Sequence, residues 1–352
     1  MSAATLDTVS TAAFAPALLA YSDETSSRMT RSVFRMPGLR LELSTDSDGY
    51  LRLCERALID SEIYSGGRER TMKVAVLDYR RHPDMPSLRV PSGDEAPLER
   101  AEVLGALGFD GDYDTQHRSW QVFDDKSLVG VEALQEAGHF PPWIASFPLR
   151  NFLHWGYQAI GWRMVHAGSL GRNGKGVMLA GASGAGKSGT VLAGVLGGLD
   201  SVGDDYLALD LSGDGVRAYP VTSLMKQDLK GLTRLGVDPE ATGAGEPNWA
   251  GKYEFDFEVL GGGRRVSELD LQAMLIPRIA HAARTRITKA TTHTAMLTFA
   301  PSCLLQLPGR WREGMSFTAD VVRRMPAYHV DLSDDPREIA ETIGNFVEKG
   351  QP

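Results

Sequence analysis

A glycine-rich segment at residues 181–188, GASGAGKS, constrains the fold of this 352-residue chain more than any other feature. It matches the pattern GxxxxGK[ST]; the apolar run before it predicts a strand, and the run after it predicts a helix at 187–198. Loop N–H groups and the positive end of such a helix stabilise phosphates, with Lys187 at the terminal phosphates and Ser188 on Mg2+. The segment therefore predicts an α/β nucleotide-binding domain, the alternative being a glycine turn that binds nothing. The expected ATP contacts are Gly181, Ser183, Gly184, Ala185, Gly186, Lys187, Ser188 and Gly189.

Two adjacent aspartates, Asp204 and Asp205, follow Lys187 by 17 and 18 residues, after a predicted strand at 201–203. So short a connection returns the chain beside the strand that precedes the glycine loop, and ligand sites in such sheets lie at the carboxyl ends of strands. Phosphoryl transfer to a hydroxyl requires a carboxylate that takes the proton and a cation that neutralises developing charge. The two aspartates are predicted to face the terminal phosphate and divide these tasks; the alternative is a solvated strand end.

His166 is placed by the turn that precedes the glycine loop. If Asn173-Gly174 forms a two-residue hairpin turn, the two strands pair symmetrically about it and His166 lies opposite Gly181. The histidine is then predicted to stand next to the bound phosphates. On spacing alone, an ordinary histidine of a buried or edge strand is the alternative.

These residues resemble one family in sequence and spacing. His166-Ala167-Gly168, VMLAGASGAGKSG at 177–189 and SVGDD at 201–205 are similar to the C-terminal domain of HPr kinase/phosphorylase and its smaller HPr kinase-like serine kinase relatives. A looser resemblance extends over roughly residues 150–348. The resemblance implies an ATP- and Mg2+-dependent kinase acting on a serine or threonine of a peptide or protein, precursors of ribosomally made peptides included.

The resemblance also implies roles for single residues. Asp205 would be the general base that deprotonates the acceptor hydroxyl, and His166 would orient it. Asp204 and Ser188 would ligate Mg2+, and Lys187 would bind phosphate. Arg278, in the segment AMLIPR, is a candidate for phosphate or substrate contact, and a purely structural role for it is equally open.

The sequence departs from this family in two places. HPr kinases carry a glutamate metal ligand after the aspartates, and no counterpart is found at 221–265, where Lys230 stands near the expected position. Residues 1–140 show no likeness to the N-terminal domain of the HPr enzymes. An HPr substrate and the reverse phosphorolysis are left open. Two other functions also stay open: a P-loop kinase of a small-molecule hydroxyl, and a nucleotide-binding regulator without kinase activity.

Composition argues against several other classes. A formal net charge of −8 argues against a nucleic-acid partner, because neutralising phosphates requires a surplus of lysine and arginine. The two cysteines, Cys54 and Cys303, lack the spacing of a disulfide framework or a zinc site. No apolar run approaches the ~20 residues of a membrane span. We expect a cytoplasmic enzyme with no membrane partner, and a homo-oligomer is left open.

The sequence predicts two domains. Residues 1–140 are expected to form a smaller strand-rich α+β domain that positions the acceptor, with 1–28 as a flexible tail. Its predicted elements are strands at 32–44, 50–58 and 71–79 and a helix at 127–137. Two prolines followed by an aromatic helical run at 147–161 mark the kinase domain, 141–352. Its later predicted elements are helices at 221–234, at 292–305 and after Asp335, and strands at 206–211, 216–219 and 271–277.

Overall fold

The computed structural model describes residues 11–64, 69–87, 104–105, 107–114, 117–135, 142–305, 307 and 311–350. The chain divides into two compact units, a first of Met1–Glu55 and Asp60–Ile160 and a second of Arg56–Ile59 and Gly161–Pro352. This division falls after Ile160, twenty residues beyond the boundary predicted from the sequence. No helix in the described ranges has both the length and the apolar character needed to cross a bilayer.

The first unit is built on a six-stranded mixed sheet with the order β1-β2-β3-β6-β5-β4. Strands β2, β3 and β6 run parallel, and the remaining neighbours are antiparallel. The strands are β1 (Thr30–Met36), β2 (Leu39–Thr45), β3 (Arg70–Asp78), β4 (Asp110–Asp114), β5 (Ser119–Asp124) and β6 (Val129–Leu134). The described helices are α1 (Thr11–Ser26), α2 (Asp48–Ala57), α3 (Pro142–Ser146) and α4 (Arg150–Ala159).

Two segments expected outside the core of this unit are packed into it. Residues 11–26, predicted as part of a flexible tail, form α1, whose Phe14 ring is buried 5.1 Å from that of Trp120. Trp155 of α4, predicted to open the second domain, stacks on Phe123 of β5 at 6.0 Å. Apolar burial holds both helices against the sheet and accounts for the later division of the chain. Residues 1–10 lie outside the described ranges.

Two predicted elements of the first unit are wrong. Residues 50–57 belong to helix α2 rather than to a strand, and Leu58 forms an isolated bridge. Tyr50, Cys54 and Ala57 are buried at helical spacing, which the local alternation of Leu51 and Leu53 obscured. Residues 129–134 form strand β6 rather than a helix. Because β6 lies between β3 and β5 and is covered on both faces, its residues are almost continuously buried and show no alternation.

The second unit contains an eight-stranded mixed sheet with the order β15-β16-β14-β11-β10-β7; β9 joins β14 on its other side and pairs with β8. Strands β9, β14 and β16 run parallel, so their carboxyl ends share one edge. The strands are β7 (Arg163–Val165), β8 (Gly168–Arg172), β9 (Lys175–Leu179), β10 (Leu207–Asp210), β11 (Val216–Pro220), β14 (Leu269–Ala282), β15 (Arg286–Lys289) and β16 (Ala327–Ser333).

Two layers of helices build separate cores on this unit. Helices α5 (Lys187–Leu196) and α9 (Pro336–Lys349) contribute Val191 and Ile343 to one core. Helices α7 (Thr292–Leu304) and α8 (Trp311–Arg324) contribute Phe299 and Val321 to the other. The predicted helices at 187–198, 292–305 and after Asp335 are present. The unit is therefore a mixed α/β fold.

A separate two-stranded sheet, β12 (Leu224–Asp228) paired with β13 (Lys252–Asp256), precedes the long strand β14. The short helix α6 (Leu229–Arg234) follows β12 directly. The single helix predicted at 221–234 is therefore wrong for its first half. Met225 and Phe255 anchor this small sheet in the core that contains α5 and α9.

Helix α9 begins as predicted at an Asp335 N-cap, whose carboxylate accepts from the N–H of Arg337 at 2.9 Å. Glu338 does not reach back to the N-cap as a capping box would. Its carboxylate accepts from the N–H and hydroxyl of Thr285 and from the hydroxyl of Ser333. Glu338 therefore ties α9 to the segment between β14 and β15.

Candidate functional site

The glycine loop connects β9 to α5 at the edge where the parallel strands end. Gly181, Gly184 and Gly186 have φ values of 157°, 80° and 101°, a backbone region that favours glycine. Gly186 is the N-cap of α5, and a Cβ there would lie 3.1 Å from Leu332 Cδ1. The glycines therefore fix the curvature of the loop and place it at the positive end of the α5 dipole.

Lys187 closes the loop on itself. Its side chain is largely buried, and its Nζ donates to the carbonyl oxygens of Gly181 at 2.7 Å and Ala182 at 3.2 Å. Burial lowers the pKa of the Lys187 ammonium, while the charges of Asp204 and Asp205 act in the opposite direction. The Lys187 ammonium therefore lies against the backbone of the glycine loop, where the charges of Asp204 and Asp205 act on it.

A buried serine pair positions the segment that leads to the aspartates. Ser169 and Ser201 are fully buried, with their hydroxyl oxygens 3.0 Å apart. The Ser169 N–H donates to the Gly203 carbonyl at 3.0 Å, and the Val202 N–H donates to Ser169 Oγ at 3.0 Å. The strand predicted at 201–203 is reduced to isolated bridges at Asp200 and Ser201. These hydrogen bonds hold residues 201–203 against β8 in place of a regular ladder.

Asp204 is 2% exposed, and neither of its carboxylate oxygens makes a hydrogen bond of good geometry within the described ranges, although the Ser188 hydroxyl and the Asp205 N–H approach the carboxylate. Burial, followed by the charge of Asp205, raises the pKa of Asp204 to about 6; Ser188 and Lys187 offset part of that rise. A Cβ at Gly168 would lie 3.2 Å from Asp204 Oδ1, so the absence of a side chain at Gly168 leaves room for the carboxylate. The Asp204 carboxylate is therefore only partly compensated, which is costly for a buried charge.

The oxygens near Asp204 fit a magnesium ion. A carboxylate and a hydroxyl are the hard donors that Mg2+ prefers, and this ion usually takes few protein ligands together with water and phosphate oxygens. Across the described ranges, no three His, Cys, Asp or Glu side chains group into a metal cage. If such an ion binds here, Asp204 and Ser188 would be the residues that hold it.

Asp205 has a different environment from its neighbour. Its φ is 77°, a left-handed value that Asp and Asn tolerate better than most residues. Its Oδ1 lies 3.3 Å from His166 Nε2 and its Oδ2 lies 2.9 Å from Lys226 Nζ. Burial alone would raise the pKa of Asp205, but the charges of Lys226 and His166 outweigh it and lower the pKa to about 2. Asp205 is therefore a fixed carboxylate held by two basic side chains.

His166 reaches Asp205 by a route other than the predicted one. The β8–β9 hairpin has the expected symmetric register about Asn173-Gly174, but it begins at the pair Gly168 and Leu179, so His166 is not paired with Gly181. His166 instead follows β7, whose Val165 pairs with Leu207 of β10. Its ring lies 5.4 Å from that of Tyr206. The β7–β10 ladder therefore brings His166 to the aspartates.

Arg278 lies near the end of β14, where its Nε donates to Asp331 Oδ1 at 2.7 Å. The two residues are register partners in the β14–β16 ladder. About half of the Arg278 side chain is exposed. The ion pair directs its guanidinium to Asp331 rather than to Asp204 or Asp205.

Three basic residues that the sequence did not indicate surround the site. Lys226 lies on β12, Lys252 on β13 and Arg234 on α6. The charge of Lys252 lowers the pKa of both Lys187 and Asp205, and Arg234 Nη2 lies 2.7 Å from the place of a Cβ on Gly189. The helix predicted at 221–234 hid the strand that carries Lys226, and the strand that carries Lys252 was not predicted.

The second unit is thus a mixed α/β unit with a glycine loop, a buried aspartate, a partly buried aspartate and several basic side chains at one edge of its sheet. No known protein-family profile matches the chain, and no curated protein matches it in sequence. Among solved structures, the Hpr(Ser) kinase/phosphatase from Coxiella burnetii is similar to it, with 14% sequence identity and a TM-score of 0.30. The match covers 53% of this chain and 98% of that one.

Proposed function

We propose that the second unit is a P-loop kinase that transfers the γ-phosphate of ATP to a serine or threonine hydroxyl of a peptide or protein. The observation that carries this proposal is Asp204, a buried carboxylate that Lys187 and Ser188 compensate only in part. An uncompensated buried carboxylate is costly, and a divalent cation with its phosphates would compensate it. The remaining residues of the site have two roles in this proposal, nucleotide binding and phosphate transfer.

The charges of the site favour a polyphosphate. The charges of Lys187, Lys226 and Lys252 act on the carboxylates of Asp204 or Asp205, and Arg234 lies beside Gly189 on α5. This surplus of positive charge matches a nucleoside triphosphate that brings its own divalent cation. Held by Asp204 and Ser188, Mg2+ would neutralise charge that develops on the phosphates.

Asp205 accepts the proton of the acceptor hydroxyl in this proposal. The hydroxyl oxygen forms a bond to the γ-phosphorus, the bond from that phosphorus to the β,γ-bridging oxygen breaks, and ADP leaves with the electron pair. His166 and Lys226 hold the carboxylate in place. With a pKa of about 2, Asp205 is ionised at neutral pH but is a weak base, so it would take up the proton only as the bond from the hydroxyl oxygen to phosphorus forms.

The acceptor in this proposal is a serine or threonine on a peptide or protein, and the first unit positions it. Arg278 is proposed as a contact for the acceptor or for phosphate. An Arg278→Ala variant is then expected to raise the KM for the acceptor more than it changes nucleotide affinity.

The test is phosphate transfer by the purified chain with ATP, Mg2+ and the peptides or proteins encoded beside its gene, followed by mass spectrometry. Lys187→Ala is expected to lose both nucleotide binding and transfer. Asp205→Asn is expected to lose transfer but keep its nucleotide Kd within about tenfold, because the loop is intact. Lys175→Ala and Asp214→Asn change exposed residues of the same types and serve as matched controls.

The outcomes separate the candidate functions. Full transfer by Asp205→Asn contradicts the assignment of the base. Transfer to a small-molecule hydroxyl but to no peptide would show that the acceptor is a small molecule, while the roles proposed for the site residues would stand. ATP binding without transfer to any hydroxyl makes the chain a nucleotide-binding regulator.

A further inference from the structure

Asp204 and Asp205 are adjacent in the chain, yet the structure surrounds them with opposite partners. Neither oxygen of Asp204 makes an ion pair or a hydrogen bond of good geometry in the described part of the chain, and only the Ser188 hydroxyl and the Asp205 N–H approach them. Each oxygen of Asp205 has a basic partner, His166 Nε2 on Oδ1 and Lys226 Nζ on Oδ2. One carboxylate is therefore open to a metal ion and its neighbour is already compensated.

From this asymmetry we propose that Lys226 supplies a fixed positive charge at Asp205, so that the site takes one divalent cation, at Asp204, and admits no second one between the two aspartates. The inference rests on the proposed function, since it assigns the metal content of the same nucleotide site. An ammonium 2.9 Å from Asp205 Oδ2 repels a divalent ion at that carboxylate and occupies one of its oxygens.

The position of Lys226 is fixed by the small sheet that carries it. Lys226 pairs with Glu254 in the β12–β13 ladder, and the preceding residue, Met225, is fully buried in the core beneath. Because side chains alternate along a strand, the burial of Met225 turns Lys226 to the opposite face. The Lys226 side chain is itself 16% exposed, so its charge is only partly screened by water.

Other charges around Asp205 act in the same direction. The charge of Lys252, on the paired strand β13, also lowers the pKa of Asp205, and His166 approaches from the other side. Asp204, the adjacent residue, contributes a negative charge that acts against these cations. The surroundings of Asp205 are therefore cationic, whereas Asp204 faces the glycine loop and Ser188.

In this inference Lys226 is a positioning residue, because it acts through Asp205. It holds the carboxylate toward the acceptor and keeps a metal ion from capturing it. Removing the charge is expected to allow a second, weaker metal ion between the aspartates and to reduce transfer.

The test counts Mn2+ ions bound per chain by electron paramagnetic resonance, in the full-length protein saturated with the non-hydrolysable analogue AMP-PNP. Wild type is expected to bind one Mn2+, and Lys226→Gln is expected to bind two, the second at least tenfold more weakly. Lys226→Arg restores the charge and is expected to bind one. Lys230→Gln removes an exposed lysine four residues further on and is also expected to bind one.

Transfer rates give a second readout. A loss of at least tenfold is expected in Lys226→Gln, with Lys226→Arg within about threefold of wild type. Two Mn2+ ions in wild type, or one in a folded Lys226→Gln, overturn the inference while the proposed kinase stands. A wild-type chain that binds no AMP-PNP overturns the proposed function, and with it the inference. Circular dichroism of each variant shows that it is folded.

Discussion

Exchanging the carboxylate of Asp204 for an amide is expected to stabilise the protein while abolishing transfer. The pKa of Asp204 in the folded chain is about 6 against an ordinary value of 3.8, so folding disfavours its ionised form. For an acid whose folded pKa is raised, the cost is absent below the unfolded pKa and fully present above the folded pKa. At pH 8 the difference corresponds to roughly 3 kcal/mol, since one pKa unit is about 1.4 kcal/mol.

Part of that gain is lost because the amide that replaces the carboxylate is also buried and also requires partners. We therefore expect Asp204→Asn to raise the free energy of unfolding by about 1–2 kcal/mol, or Tm by about 3–6 °C for a unit of this size. At pH 4.5 the carboxyl is mostly protonated in the folded chain, and the gain is expected to shrink.

Asp205→Asn is the matched control, because it makes the same exchange one residue later. The pKa of Asp205 is lowered to about 2, and an acid with a lowered folded pKa contributes stability above its unfolded pKa that is lost as pH falls through the folded pKa. Removing the contacts with His166 and Lys226 is expected to cost on the order of 2 kcal/mol at pH 8. Asparagine tolerates the φ of 77°, so the backbone adds little to this loss.

The assay is thermal unfolding by scanning calorimetry at pH 8 and pH 4.5, without nucleotide or divalent metal. Opposite changes in Tm for the two variants at pH 8 are the expected result. A Tm for Asp204→Asn at or below that of wild type at pH 8 refutes the reasoning, since it would mean that the Asp204 carboxylate is compensated in the folded chain.

Two further substitutions test the fold. Glu338→Gln is expected to lower stability by about 1–2 kcal/mol at pH 7, and Glu341→Gln, at an exposed position, to change it little. Burial opposes ionisation of Glu338, but hydrogen bonds from Thr285 and Ser333 outweigh it and lower its pKa. The difference in the free energy of unfolding between wild type and Glu338→Gln is therefore expected to shrink as pH falls below that pKa, which urea unfolding measures. Gly174→Ala, at φ 78°, is expected to lower the free energy of unfolding by about 1 kcal/mol. Gly215→Ala, where a Cβ meets open space and φ is not positive, is expected to change it little. Equal denaturation midpoints for the two variants would contradict the turn geometry.

The parts of the site that the sequence predicted are those encoded locally. Gly184, Gly186 and Lys187 lie within one continuous segment, and glycine at set positions determines the backbone conformation of the loop. The hairpin about Asn173-Gly174 is likewise encoded by two residues, and its register was predicted. Placing His166 by extending that register was wrong, because a ladder can end at any residue and this one ends at Gly168.

Lys226 was out of reach of the sequence for a different reason. It meets Asp205 through a small sheet formed with residues that follow some 25 positions later, and no local periodicity reports that pairing. Glu132 illustrates the same limit in the first unit: a charged residue interrupts β6, yet it is buried and accepts from Tyr50 and Gln121, which come from α2 and β5. Contacts between distant segments override what each segment shows alone.

The backbone at Asp205 has an evolutionary consequence. Since φ is 77° there, substitutions at this position in relatives of this chain are expected to be mainly Asp, Asn and Gly, whether or not a relative has the proposed activity. Asp204 has no such backbone restriction, and a relative that loses activity is free to replace it. In an alignment of such relatives, an acidic residue at 204 would therefore mark the active members, while one at 205 would also report the shape of the turn.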